Sequence, residues 1–220
     1  MHLTFKATLP ALALAATVCG SAMAEPEFDR IFTTISEESC KVIEGDYGDP
    51  AYSMHVISEC EGAGDWTVYL HEYSSFQGLS LSPADGLDSP ELSFLQFGRY
   101  GRIGERLEWV TMDGEVIGVT VGFHEQPPPG ENDGASNTYS VALKADEYPS
   151  ACLISRVEFG RVRGVPDAAE LAIKTMAADW NCAKNERIDF TPETINGMSY
   201  HSAVLDAAAK LGFISQEEWD

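Results

Sequence analysis

The chain has 220 residues, of which 44% are hydrophobic and 22% are charged, a composition typical of a globular protein and not of a disordered one. Its 35 acidic residues against 14 lysines and arginines give a formal net charge of −21. Such an acidic surface repels phosphate groups, which excludes nucleic acids and anionic membrane surfaces as expected partners.

The first 24 residues are typical of a secretory signal peptide. An apolar run extends from Leu9 to Val18, and Ala22-Met23-Ala24 marks the expected cleavage point. The run is too short to span a membrane, and no later stretch approaches 18 consecutive apolar residues. An alternative is lipid attachment at Cys19, although a valine precedes it where a small residue is expected. We therefore expect a periplasmic or extracellular protein without an integral membrane segment, whose oligomeric state stays open.

Four cysteines follow this segment, at Cys40, Cys60, Cys152 and Cys182. An even number in an exported chain predicts two disulfides, for which three connectivities exist. We expect Cys40–Cys60 and Cys152–Cys182, because each bond then joins neighbouring elements. The sequence has no Cys-x-x-Cys, which argues against a zinc ribbon or a thioredoxin-like site. Residues 25–220 are long enough for a single domain with its own core.

The strands of a β-hairpin are predicted over residues 52–60 and 66–73, separated by a Gly-containing loop at 61–65. In the second strand Trp66, Val68 and Leu70 alternate with more polar positions that include Tyr69 and His71, so one face is buried and the other is wetter. Shorter strands are predicted over 76–81 and 92–97, around a polar loop at 82–89.

Asp113-Gly114 predicts a tight type I′ turn between strands at 107–112 and 115–121. With Met112 facing Glu115, Trp109 is expected opposite Gly118, where a glycine leaves room for the indole. An exposed loop over 126–137 and strands over 138–145 and 151–159 are expected to follow.

Helical patterns replace strand patterns after Gly164. A helix is predicted to about Asn181, with Asp167 as N-cap and Glu170 completing a capping box. A helical turn from Thr191 and an Ala-rich helix over 202–211 are expected next. Together these elements predict an α+β fold: an antiparallel β-sheet of about 7–9 strands, sandwich- or barrel-like, followed by two or three C-terminal helices, with an acidic helical tail from about residue 187.

Residues of the expected sheet and first helix resemble a group of small secreted proteins of Gram-negative bacteria that have no known activity. The matching residues are Trp109, Asp113-Gly114, Val116–Val121, Ser140–Leu143, Ser150–Cys152, Val165–Leu171 and Ala177–Asp179. The resemblance covers roughly residues 60–185 and implies an exported, sheet-rich protein, with no catalytic residues to carry over. Gly118 stands where those proteins tend to have alanine, and the tail after Glu186 has no counterpart in them.

Common catalytic motifs are missing from the sequence, which has no Gly-x-Ser-x-Gly elbow, no Gly-rich phosphate loop and no His-Glu-x-x-His. Ser199 and His201 lie two residues apart at a helix start, where the serine is expected to cap the helix and not to face the histidine. We therefore assign no catalytic residue and expect no cofactor.

Two histidines of the first hairpin are candidate metal ligands. If residues 61–65 form the loop, His55 lies opposite His71, and Glu59 lies opposite Thr67 on the same face. Two adjacent imidazoles suit zinc or copper. The plainer interpretation is two surface histidines on the wetter face, and we expect no tightly bound metal.

The sequence favours a non-enzymatic binding module of the cell envelope with a cationic protein partner, because strong negative charge steers cationic molecules. The expected contact surface is the wetter face of the hairpin at Glu59, Tyr69 and Tyr73, where aromatic rings lie beside charge. One alternative is an inhibitor of a basic lysozyme-type enzyme. Another is a hydrolase or metal-dependent enzyme whose site assembles only in the fold. A third is that the acidity is an adaptation to a salty environment.

Overall fold

Eleven strands and two helices make up the residues that the computed structural model describes, namely 25–36, 38–45, 55–84, 94–127, 134–159 and 165–215. The strands are β1 (Phe28–Thr34), β2 (Cys40–Glu44), β3 (His55–Glu61), β4 (Trp66–Tyr73), β5 (Gln77–Pro83), β6 (Phe94–Gln96), β7 (Gly101–Met112), β8 (Glu115–Glu125), β9 (Ser136–Leu143), β10 (Ala151–Phe159) and β11 (Ile188–Phe190). The helices are α1 (Val165–Met176) and α2 (Tyr200–Lys210). None of the helices in these ranges is long and apolar enough to cross a membrane. The expected signal peptide with Cys19, the first residues of the strands predicted over 52–60 and 92–97, and residues 85–89 and 128–133 of two predicted loops lie outside the described residues.

The strands form two open sheets and not a closed barrel. One sheet has six strands in the order β1-β7-β8-β9-β10-β11, and the other has five in the order β2-β3-β4-β5-β6. All pairs are antiparallel except β10 with β11, which is parallel. The expected antiparallel α+β architecture is therefore confirmed, but the expected number of strands is too low. The additional strands are β1 and β2, whose side chains are mostly exposed, and the three-residue β11, which lies where the helical tail was expected to begin.

A hydrophobic core fills the space between the two sheets. Trp109, Val119 and Val121 of the six-stranded sheet are fully buried there, together with Val68 and Leu81 of the five-stranded sheet. Alternation along β4, β5, β7 and β8 supplies these residues, since every second side chain points to the same face. The predicted burial of Trp66, Val68 and Leu70 is confirmed.

The opposite face of the six-stranded sheet carries a second core, which the helices cover. Ile173 and Met176 of α1 and the following Trp180 are buried against Val110 and Ile154 of the sheet. The fold is thus three layers deep, and its central sheet is buried on both faces.

The six-stranded sheet and helix α1 differ from the sequence predictions in two details. A bulge between Val110 and Thr111 shifts the β7–β8 pairing, so that Trp109 faces Val119 and not Gly118. Gly118 instead lies under α1, where a Cβ atom would come within 2.5 Å of Ile173 Cγ2. Helix α1 begins at Val165, before the expected cap, and Glu170 is paired with cations instead of completing a capping box.

Both disulfides expected from the sequence are present. Cys40–Cys60 joins the directly paired strands β2 and β3, with 4.3 Å between the Cα atoms. Cys152–Cys182 ties β10 to the segment after α1, with 5.6 Å between the Cα atoms. These bonds indicate an oxidising environment of the kind that exported proteins meet.

Candidate functional site

The residues predicted to bind a partner lie on the outer face of the five-stranded sheet, away from the core between the sheets. Glu59 of β3 is exposed and lies directly opposite Tyr69 of β4, which is half-buried. Burial, and secondarily the neighbouring Glu59 carboxylate, raise the pKa of the Tyr69 hydroxyl above its usual value, so this ring stays neutral. Lys41 of β2 lies across from Glu59 on its other side.

The β3–β4 hairpin has a different register from the expected one. The Trp66 N–H donates to the carbonyl of Ala63 in the turn and not to β3, and Glu61 with Thr67 becomes the first pair of β3 with β4. The pairing is therefore shifted by two residues, and Glu59 faces Tyr69 in place of Thr67. A shift of two keeps every side chain on its face, so the predicted surface survives although its predicted pairs do not.

Aromatic rings form a stacked column at the end of this face. Tyr73 stacks on His55, with 4.3 Å between ring centroids and 6° between planes, and on Phe76 at 4.5 Å. Phe94 of β6 meets the His71 ring edge-on at 5.0 Å. Gly78 permits this contact, because a Cβ atom there would come within 2.3 Å of the Phe94 ring. The column gives this end of the surface a fixed shape.

His71 is buried, contrary to the expectation of two surface histidines. Only 2% of the residue is exposed, and its Nε2 lies 2.8 Å from the Oγ of Ser80. Its Nδ1 lies 3.3 Å from the Nε2 of His55. Burial, with a smaller contribution from His55, lowers the pKa of His71 to about 4, so the ring is neutral at pH 7. The two histidines do meet, although they lie diagonally across the strands.

The chain of Ser80, His71 and His55 has the order of a nucleophile, a base and an orienting group. Ser80 has no exposed surface, however, so its hydroxyl is closed off from any substrate carbonyl. Among the residues described, no group of three or more His, Cys, Asp or Glu side chains is arranged to hold a metal ion.

Two grooves that the sequence did not predict run along the side of the sandwich where β1 and β2 end the two sheets. The first has a volume of about 530 Å³ and lies between β1 and the β3–β4 turn, lined by residues 31–34, Ser39 and residues 61–64. The second, of about 620 Å³, opens between the sheets and shares Thr34 with the first. Its charged lining residues are Glu38, Glu72, Glu105 and Arg102. These residues come from three distant parts of the chain, and local sequence patterns carry no signal that would bring them together.

No protein-family model, curated protein or solved structure matches the chain. The chain folds as an open two-sheet sandwich with one helical layer, and its formal net charge is −21.

Proposed function

We propose that the protein acts after export as a non-enzymatic binding module for a cationic protein partner. The observation that carries the proposal is the direct pairing of exposed Glu59 with Tyr69 on the outer face, beside the fixed column of Tyr73, His55 and Phe76. A carboxylate beside aromatic rings supplies charge attraction and contact area in one place.

The charge balance of the molecule supports a partner of positive charge. Many of its few basic side chains already pair with acids, as Arg30 does with Glu108 and Glu170, and as Arg187 does with Asp189. The excess of carboxylates over the 14 lysines and arginines leaves a strongly negative surface. Such a surface raises the rate at which cationic proteins associate, and salt screens that attraction.

The pair of Ser80 and His71 does not support the alternative of a hydrolase, because Ser80 is buried. An inhibitor of a basic lysozyme-type enzyme is a special case of the proposed binding, and a purified basic lysozyme is therefore a suitable first probe.

The test is a binding measurement on the mature protein, beginning at Glu25, against an extract of periplasmic proteins and against purified basic lysozyme. We expect basic proteins to be retained, with association rates that fall as salt increases, and Tyr69→Ala to weaken binding about tenfold, as loss of a central aromatic contact does. Tyr148→Ala is the matched control, since Tyr148 is 65% exposed and lies in the connection between β9 and β10, outside the proposed contact surface. Retention that does not change with salt concentration, or that is the same for Tyr69→Ala and wild type, would contradict the proposal.

A further inference from the structure

Within the part of the chain that the structure describes, strand β1 leaves one edge of the six-stranded sheet open. Its only neighbour in that part is β7, and Ile31 and Phe32 at its centre are 41% and 46% exposed. Proteins commonly protect such an edge with lysine, proline or a bulge. The stretch Phe28–Thr34 contains neither lysine nor proline, and its pairing with β7 has no register shift.

The backbone groups at this edge can be assigned from the bonds at the two ends of the strand. The carbonyl of Glu27 accepts from the N–H of Asp113, and the N–H of Ile35 donates to the carbonyl of Glu105. In an antiparallel pair, alternate residues turn both backbone groups to the partner strand. Glu27, Ile35 and the odd-numbered residues between them therefore face β7. The even-numbered residues, Phe28, Arg30, Phe32 and Thr34, turn their N–H and carbonyl groups to the open edge. Of these, the Thr34 carbonyl accepts the Ser39 hydroxyl at 2.9 Å.

The space beside this edge has the shape and charge for an extended chain. The groove of about 530 Å³ runs along Ile31–Thr34, and Glu61 lies on its far wall. At Thr34 it meets the cleft of about 620 Å³, whose lining has three glutamates against Arg102. Arg102 lies 3.9 Å from Glu72, which leaves the cleft negative overall.

We propose that an extended segment of a partner protein adds to β1 as a further strand, with alternating aliphatic side chains along the groove and lysine or arginine at the end that enters the cleft. Hydrogen bonds to the N–H and carbonyl of Phe32 and to the N–H of Thr34 hold the strand, and the cleft selects its charge. A second copy of this chain is the poorer occupant, because two molecules of charge −21 repel each other. The inference does not depend on the outer face that carries the proposed function.

A fluorescent peptide of sequence acetyl-Val-Thr-Val-Thr-Val-Lys-Lys-amide is the probe. It is compared with a version that ends in Glu-Glu, and with one whose alternate backbone nitrogens are methylated. We expect the first peptide to bind and the other two to bind at least about tenfold more weakly, since each loses either charge attraction or strand hydrogen bonds.

Thr34→Pro removes one N–H that points to the open edge and that makes no hydrogen bond to β7. Thr34→Ala is its matched control. We expect Thr34→Pro to weaken peptide binding about tenfold, with Thr34→Ala and Tyr69→Ala close to wild type. Thermal unfolding of Thr34→Pro checks that the sheet is intact, and the methylated peptide tests the same bonds on the wild-type protein. Equal binding of the three peptides would overturn the inference. So would a wild-type dimer, seen by sedimentation, that Thr34→Pro dissociates.

Discussion

The indole Nε1 of Trp109 donates a hydrogen bond to the Thr33 hydroxyl at 2.8 Å, which joins the centre of the core to the open edge strand β1. Trp109 is fully buried, so this bond satisfies a polar atom that has left water. A tryptophan in the core thereby helps to fix the position of a strand whose other side chains are mostly exposed.

Thr33→Val is therefore expected to lower the free energy of unfolding by about 1–3 kcal/mol, the usual cost of leaving a buried donor unpaired. Thr33→Ser keeps the hydroxyl and should stay near wild type. Thr34→Val is the position control, because Thr34 is exposed on the same strand. Chemical denaturation monitored by tryptophan fluorescence measures all three. A Thr33→Val protein as stable as Thr33→Ser would show that the bond contributes nothing.

The lowered pKa of the buried His71 leads us to expect that the stability of the protein depends on pH. In the unfolded chain this histidine takes up a proton below about pH 6.5, whereas in the folded protein it does so only near pH 4. The unfolded state thus binds more protons between these values, so stability falls as the pH is lowered from 6.5 to 4. Allowing for solvent screening, we expect this residue to account for about 2 kcal/mol of the loss.

The measurement is urea unfolding of wild type and His71→Gln at several pH values from 7 to 4. The difference between their stabilities should change with pH across that window, while His201→Gln, which alters an exposed histidine, should follow wild type. Parallel curves for wild type and His71→Gln would contradict the assignment.

Gly118 and Gly122 lie on the same strand, but alanine is expected to have opposite effects on stability at the two positions. A Cβ atom at Gly118 would lie 2.5 Å from Ile173 Cγ2 and 2.7 Å from the carbonyl oxygen of Val141, whereas one at Gly122 meets nothing within 4 Å. Gly118→Ala should therefore destabilise by about 1–3 kcal/mol through overpacking beneath α1. Gly122→Ala should be neutral or stabilising, because alanine loses less backbone freedom on folding. Thermal unfolding of the pair tests this, and equal melting temperatures would show that α1 shifts without cost.

The disulfide Cys152–Cys182 closes a sequence separation of 30 residues and fixes the chain after α1 to β10. Replacing both cysteines by alanine should lower the stability by about 3.6 kcal/mol, the loop-entropy value for this length. Denaturant unfolding gives the magnitude, and peptide mapping of the unreduced wild type gives the pairing. Free thiols in the mapped protein, or a bond from either cysteine to Cys40, would refute the assignment.

Sequence patterns located the strands that bury one face. The bounds of β4 and β10 match the expected ones, because alternation of apolar residues is a local signal. The turn between β7 and β8 also follows from a local signal, the Asp-Gly pair. Asp113 and Gly114 both have the positive φ that a type I′ turn requires. Strands β1 and β2 were missed because their exposed side chains show no such alternation.

The candidate surface was predicted in outline and not in detail. Glu59, Tyr69 and His71 share a face in any register of the right parity, and that much followed from the sequence. The burial of His71 depends on Ser80 and Phe94, which reach it from β5 and β6 across the sheet. The groove beside β1 depends on a strand that no pattern indicated. Contacts between distant segments decide both features.

The central position of the six-stranded sheet also bears on how the chain is assembled. Helix α1 follows ten of the eleven strands and α2 follows all of them, so a chain synthesised from its N-terminus contains most of this sheet before α1 and α2 are added. Until then the side of the sheet that carries Val110 and Ile154 lacks its cover, and partly folded chains can adhere through it. The net charge of −21 opposes such contacts by mutual repulsion. The acidity that we assign to partner recognition thus also disfavours association between partly folded chains.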